Sequence, residues 1–151
     1  AQIARLDKMI FSASRQDKGV RLLQTIPCVV PVTASAIVAT VGEPQRFKSG
    51  RDMAAWIGLT PLNKSSGGKE RLGRITKMGD RYLRRLLVSG MTARIGHARR
   101  QPDCVDPWVI RLLGRKPTRL ATIAMANKTA RIIWAVLTRQ KPYQAPQFAA
   151  A

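Results

Sequence analysis

Apolar residues recur at helical spacing along most of this chain. Ile3, Leu6 and Ile10 form one stripe among charged neighbours, and Val20, Leu22 and Leu23 follow a weak point at Gly19. The spacing predicts a helix over residues 1–24 whose stripe needs a partner. Residues 26–31, with Pro27 and Pro31, predict a turn, and residues 32–41 a helix of small side chains closed by Gly42 and Pro44. Ser49 and Gly58 bracket a third helix over residues 50–57, one as N-cap and the other as C-terminal glycine. From residue 60 to 74 the periodicity is lost while Pro61, Asn63, Ser65, Ser66 and three glycines accumulate. This segment is expected to be a mobile surface loop with room for a small hairpin inside it.

Periodicity returns over residues 80–98, where Tyr82, Leu83, Leu86, Leu87 and Gly90 are expected on one face and Arg81, Arg84 and Arg85 on another. Asp106-Pro107 is a favourable helix start, and Gly114 is expected to end that short helix. A last helix over residues 118–138 carries Ile123, Ala126, Ala130, Ile133, Trp134 and Leu137 on one stripe, with Lys128 and Arg131 off it. The pattern predicts an all-α, compact helical domain over residues 25–140. A helix over 1–24, read as the end of a coiled-coil linker, precedes it, and a flexible tail over 141–151 follows.

Composition sharpens this picture through charge. The 151 residues hold 27 Lys and Arg against 8 Asp and Glu, a formal net charge of +19, on a chain that is 45% hydrophobic and so able to build a core. A folded body this basic calls for a polyanion, either nucleic acid or an anionic membrane surface. The longest uncharged run, residues 26–42, is too short for a span and holds two prolines, so no membrane partner is expected. Cys28, Cys104 and the single histidine, His97, match no zinc pattern, and no metal site or cofactor is expected in this chain. The thiols and the lack of a secretory signal point to the cytoplasm, and the absence of an initiating Met suggests a piece of something longer.

The charge is also unevenly placed. Between Lys64 and Arg100 eleven basic residues face only Glu70 and Asp80, and eight of the eleven are Arg. The guanidinium fork suits phosphate oxygens better than plain solubility requires. The candidate phosphate contacts are Lys64, Lys69, Arg71, Arg74, Lys77, Arg81, Arg84 and Arg85. The loop between Lys64 and Arg71 is not a Walker A loop, because Glu70 follows Lys69 and no strand precedes, and His97 alone among arginines cannot serve a Ser-His-Asp triad. Two readings stay open. Ser65 or Ser66 attacks a phosphodiester, with arginines stabilising the transferring group and Gly67 and Gly68 giving the loop its freedom. Alternatively the same four residues form a turn that meets phosphate through backbone N–H groups.

The run GLTPLNKSSGGKERLGRITKMGDRYLRRLL resembles the C-terminal transposase domain, of the IS116/IS110/IS902 type, of the DEDD insertion-sequence transposases, relatives of the pilin-gene invertases. The flanking runs IPCVVPVTASAIVATVGEPQRFKSGRDMAAWIGLTP and MANKTARIIWAVLT resemble the same domain's opening and closing segments, so the resemblance covers about residues 20–143. It implies a two-part recombinase. An N-terminal RuvC-like domain holds Mg²⁺ through four carboxylates, and the present domain supplies a serine nucleophile, placed by the resemblance at Ser66 with Ser65 as the adjacent alternative. The implied partners are DNA, a structured guide RNA, the RuvC-like domain and further copies of the chain as a homo-oligomer, in a cytoplasmic, nucleoid-associated setting. The isolated chain, without the nuclease half, is expected to be inactive. The alternative is a non-catalytic basic module for nucleic-acid binding or oligomerisation.

One departure stands out. The family's opening turn is a helix-hairpin-helix of the form Ile-Pro-Gly-Val-Gly-Pro, and here its glycine positions are Cys28 and Val30. A β-branched Val is a poor occupant of positive φ. The hairpin is therefore expected either to take another backbone path or to lack a phosphate contact.

Overall fold

A computed structural model of the chain describes residues 1–63, 67–68 and 72–146. Among them are seven α-helices and one two-stranded sheet: α1 (Gln2–Gln16), α2 (Lys18–Leu23), α3 (Pro31–Val41), α4 (Gly50–Ile57), β1 (Pro61–Asn63), β2 (Leu72–Ile75), α5 (Arg81–Arg100), α6 (Pro107–Arg115) and α7 (Thr118–Arg139). The fold is all-α apart from the small sheet, as the periodicity predicts.

Local chemistry sets most of the helix starts. Ser49 accepts from the Asp52 amide at the start of α4, and Asp80 accepts from the Leu83 amide at 2.8 Å at the start of α5. Asp106 does the same for Trp108 at 2.7 Å, with Pro107 as the first residue of α6. Caps of this kind contribute about 1 kcal/mol each. The leading helix is cut at Asp17, where the backbone turns extended and the carboxylate caps α2 by accepting from Val20 N at 2.9 Å. The break thus falls two residues before Gly19, because a cap at Asp17 is a stronger stop than a tolerated glycine. Gly114 does not end α6, which continues to Arg115 and stops ahead of Pro117.

The long helices α5 and α7 pack on each other, and α4, α2 and α6 close around α7. From α7 the core takes Ala121, Met125, Ala126, Ala130 and Ile133, and from α5 Leu83, Leu87, Met91, Ile95 and Ala98. The expected α5 stripe is displaced by part of a turn, so Tyr82 stands 57% exposed while Met91 and Ile95 are buried. α7 is long and apolar enough to cross a membrane, with a mean hydropathy of 1.2, yet half of that window is buried against its neighbours. That is how the core helix of a globular domain behaves.

The turn between α2 and α3 resolves the departure at its glycine positions. Cys28 carries the left-handed backbone, at φ 64°, while Val30 is extended at φ −78° and leads into Pro31. The turn is held against α5 at Gly90, where a Cβ would lie 2.8 Å from the Cys28 carbonyl oxygen. Only a residue without a side chain permits that approach. The chain after α7 also returns to this turn: the Tyr143 amide donates to Thr25 Oγ1 at 2.8 Å, and Tyr143 packs on the edge of the core. The expected tail is thus tied down as far as Tyr143.

Candidate nucleic-acid interface

The described residues of the aperiodic segment include the two strands of a hairpin. β1 and β2 pair antiparallel, with Pro61 opposite Ile75 and Asn63 opposite Leu72 and an irregularity between these pairs. Below the strands the ladder continues through Thr76 N to Thr60 O, at 2.9 Å, and Lys77 N to Gly58 O. At its foot the chain turns sharply, with Lys77 at φ 53° and Gly79 at φ 107°. A Cβ on Gly79 would fall 1.7 Å from the Trp56 carbonyl oxygen, so this turn lies flat on the end of α4. Arg84 completes the foot by donating from Nη1 to the Ile57 carbonyl oxygen at 2.9 Å, across 27 residues of sequence. That carbonyl is one of the last of α4 and has no partner within its own helix.

The hairpin stands against the first half of α7. Asn127 donates from Nδ2 to the Leu59 carbonyl at 3.2 Å, and between the two elements runs an open groove of about 1150 Å³. Pro61, Gly73, Arg74, Ile75 and Lys77 line one wall, and Arg119, Leu120, Ile123, Ala124 and Asn127 the other. Its charged lining is Arg74, Lys77 and Arg119, all exposed and without an acidic neighbour in the wall. Such a cleft concentrates positive potential and favours a polyanion.

The predicted contacts divide on this geometry. Arg74 and Lys77 come together in the groove, with Arg119 opposite. Arg81 and Arg85 are exposed on α5 away from its lining, and Arg84 is half-buried in its bond to α4. Arg84 was expected among the phosphate contacts; the structure assigns it first to the end of α4, because the Ile57 carbonyl needs a donor there. Gly67 and Gly68, between the two strands, are exposed with φ of 62° and 77°. Lys64, Ser65, Ser66, Lys69 and Arg71 lie outside the described residues. Sequence reasoning missed Arg119 and Asn127, which are about fifty residues distant from the hairpin. The signal for Asn127 was its place off the apolar stripe of α7; Arg119 is in line with Ile123, Ala126 and Ala130 and gave none.

Among the described residues no three of His, Cys, Asp and Glu gather where they could hold a metal ion. His97 is exposed near the end of α5, close in sequence to Arg99 and Arg100.

The hairpin and both helices that support its foot fall within residues 20–104, which match the model of the Transposase IS116/IS110/IS902 family. The chain belongs to this transposase family. Its relatives agree. It is 41% identical over 144 residues to a Pseudomonas aeruginosa protein named "Probable family 20 transposase", covering 95% of this chain and 43% of the relative. It is 37% identical over 142 residues to the transposase for insertion sequence element IS1111A of Coxiella burnetii, covering 94% of the chain and 39% of that relative. A third match, at 35% over 138 residues, is the transposase for insertion sequence element IS1328 of Yersinia enterocolitica, with 91% and 41% covered. The chain therefore spans about two fifths of the length of these transposases.

Proposed function

We propose that this chain is the serine-bearing, DNA-binding portion of an insertion-sequence transposase, C-terminal to a RuvC-like nuclease domain. The observation that carries the reading is the family match over residues 20–104, which includes the loop with Ser65 and Ser66. The groove lined by Arg74, Lys77 and Arg119 beside the foot of that loop supports it, since DNA is the substrate class that transposition requires.

In this reading the Ser66 hydroxyl attacks the phosphorus of a phosphodiester. A bond forms between Oγ and phosphorus, the bond to one bridging deoxyribose oxygen breaks, and that oxygen takes up the proton the serine releases. Joining runs the same exchange with a new strand's hydroxyl, which displaces the serine, so the phosphodiester count is conserved. Arginine and lysine around the loop offset charge on the transferring group. The four carboxylates of a RuvC-like domain would hold Mg²⁺, which when bound would supply further neutralisation of phosphate charge. A structured RNA of the element guides pairing with target and donor DNA, in the cytoplasm and at the nucleoid.

In the transposase rebuilt with its nuclease domain and RNA, Ser66→Ala abolishes strand exchange and any covalent protein–DNA adduct. DNA affinity stays within about twofold, because one neutral hydroxyl contributes only about 1 kcal/mol. Ser65→Ala is the milder change. Full strand exchange by Ser66→Ala returns the loop to a turn that only contacts phosphate, the reading of a binding module without chemistry.

The same proposal includes self-association through α1. Ile3, Leu6, Met9 and Phe11 are each at least half exposed on that helix. A short exposed helix of this kind is marginal unless packed. Sedimentation of the whole chain gives a dimer or larger species, and a version starting at Lys18 gives a monomer; equal monomer masses for both refute it.

A further inference from the structure

A second groove, of about 840 Å³, opens on the far half of α7, between it, the start of α4 and α6. Its lining includes Arg51, Lys128 and Arg131 together with Trp108, Ile132 and Trp134. It shares Ala124 and Asn127 with the hairpin groove, so the two adjoin there and together make a trough along α7. On α7 the residues Leu120, Ala124, Asn127, Arg131 and Ala135 succeed one another at steps of three or four and form one outward stripe. At 1.5 Å per residue this stripe is about 22 Å long.

The cations along the trough alternate with apolar surface. Arg74, Lys77 and Arg119 stand at one end and Arg51, Lys128 and Arg131 at the other, and neither lining contains an acidic residue. Lys128 is held in place: its ammonium lies 3.8 Å from the centre of the Trp108 ring and 3.8 Å from an Asp106 carboxylate oxygen. Asp106 is thus an acidic group beside the trough, and it faces Lys128 from the start of α6. Between the charges lie Leu120, 60% exposed, and the half-buried Ile123 and Ile132.

We infer that this trough is the path of an unpaired DNA strand, running from the hairpin across Asn127 to Arg51 and Arg131. The inference rests on the reading of the hairpin groove as a DNA surface and extends it to residues on α4, α6 and α7. The spacing of positive charge fits a phosphate backbone. The apolar surface between the charges selects for single strands, because a duplex turns its phosphates outward and keeps its bases stacked, whereas an unpaired strand offers base faces to aliphatic and aromatic side chains.

The test is fluorescence anisotropy of the whole chain with a labelled single-stranded oligodeoxynucleotide, the same sequence as a duplex, and the same sequence as RNA, each across salt. The double variant Arg51→Gln/Arg131→Gln, with unchanged thermal unfolding, loses about tenfold in affinity for the single strand. Its salt slope falls by about 1.4, since each phosphate contact on a single strand contributes about 0.7. Duplex affinity changes by less than twofold. Unchanged single-strand affinity in this variant, with weakening by Arg74→Gln/Lys77→Gln, overturns the inference and leaves the hairpin reading standing; unchanged affinity in both variants overturns both. Equal losses for duplex and single strand overturn the selection for unpaired DNA, and RNA bound more than tenfold tighter than DNA overturns the choice of occupant.

Discussion

The two long helices use their arginines in opposite ways. α5 carries six of them in a dense run of sequence, but its twenty residues wrap through more than five turns and scatter the charges around the helix. Arg84 points back to the end of α4, and Arg99 reaches across to Thr118 Oγ1 at 2.7 Å. α7 has fewer cations, yet Arg119 lines the groove beside the hairpin, and Lys128 and Arg131 line the adjoining one beside the start of α4. A charge-dense stretch of sequence is therefore a poor guide to a charge-dense surface. What counts is which elements the fold stands beside each other.

The comparison breaks most severely at the foot of the hairpin. Gly79→Ala places a Cβ against the Trp56 carbonyl and forces a side-chain-bearing residue to φ 107°. A loss of more than about 3 kcal/mol is expected in denaturant unfolding, since backbone strain of this kind costs about 1–3 kcal/mol before the steric overlap is added. The hairpin wall of the groove should leave α7 at the same time. A Gly79→Ala protein as stable as the original removes the argument that the foot is clamped.

The contrast between structural and surface arginines is sharpened by a pair of changes on α5. Arg84→Ala should destabilise by about 1.5–3 kcal/mol, because it removes a charged donor from a half-buried helix-end carbonyl. Arg99→Ala, whose bond to Thr118 is exposed, should change stability by less than about 0.5 kcal/mol. Thermal unfolding of the two variants side by side decides it, and equal effects refute the distinction.

Much of the helical framework was readable in the chain because its signals are local. Ser49 and Gly58 mark both ends of α4, and Asp80 and Asp106 mark starts, through bonds made within three residues. The α5 stripe was harder. Tyr82 looks apolar in the pattern, but the true buried set runs through Met91 and Ile95, and which side faces inward depends on α7. The hairpin left no periodic trace, since three- and four-residue strands are too short to alternate visibly. The groove was illegible for a different reason. It pairs Arg74 and Lys77 with Arg119 and Asn127, and nothing in the spacing of residues so far apart says that they meet. The resemblance to transposases pointed to Ser65 and Ser66, which lie outside the described residues, whereas the composition only demanded a polyanion.

The central place of α7 has a consequence for how the domain is made. Ribosomes deliver the chain from its amino end, so α2, α4, α5 and α6 leave the exit tunnel before the helix against which they close. The α2–α3 turn must wait even longer, since its Thr25 hydroxyl receives the amide of Tyr143, 118 residues later. The parts of those helices that close on α7 therefore stay uncovered until it has emerged. A chain that ends before Thr118 lacks Ala121, Met125, Ala126, Ala130 and Ile133, the side chains that fill the core against those helices.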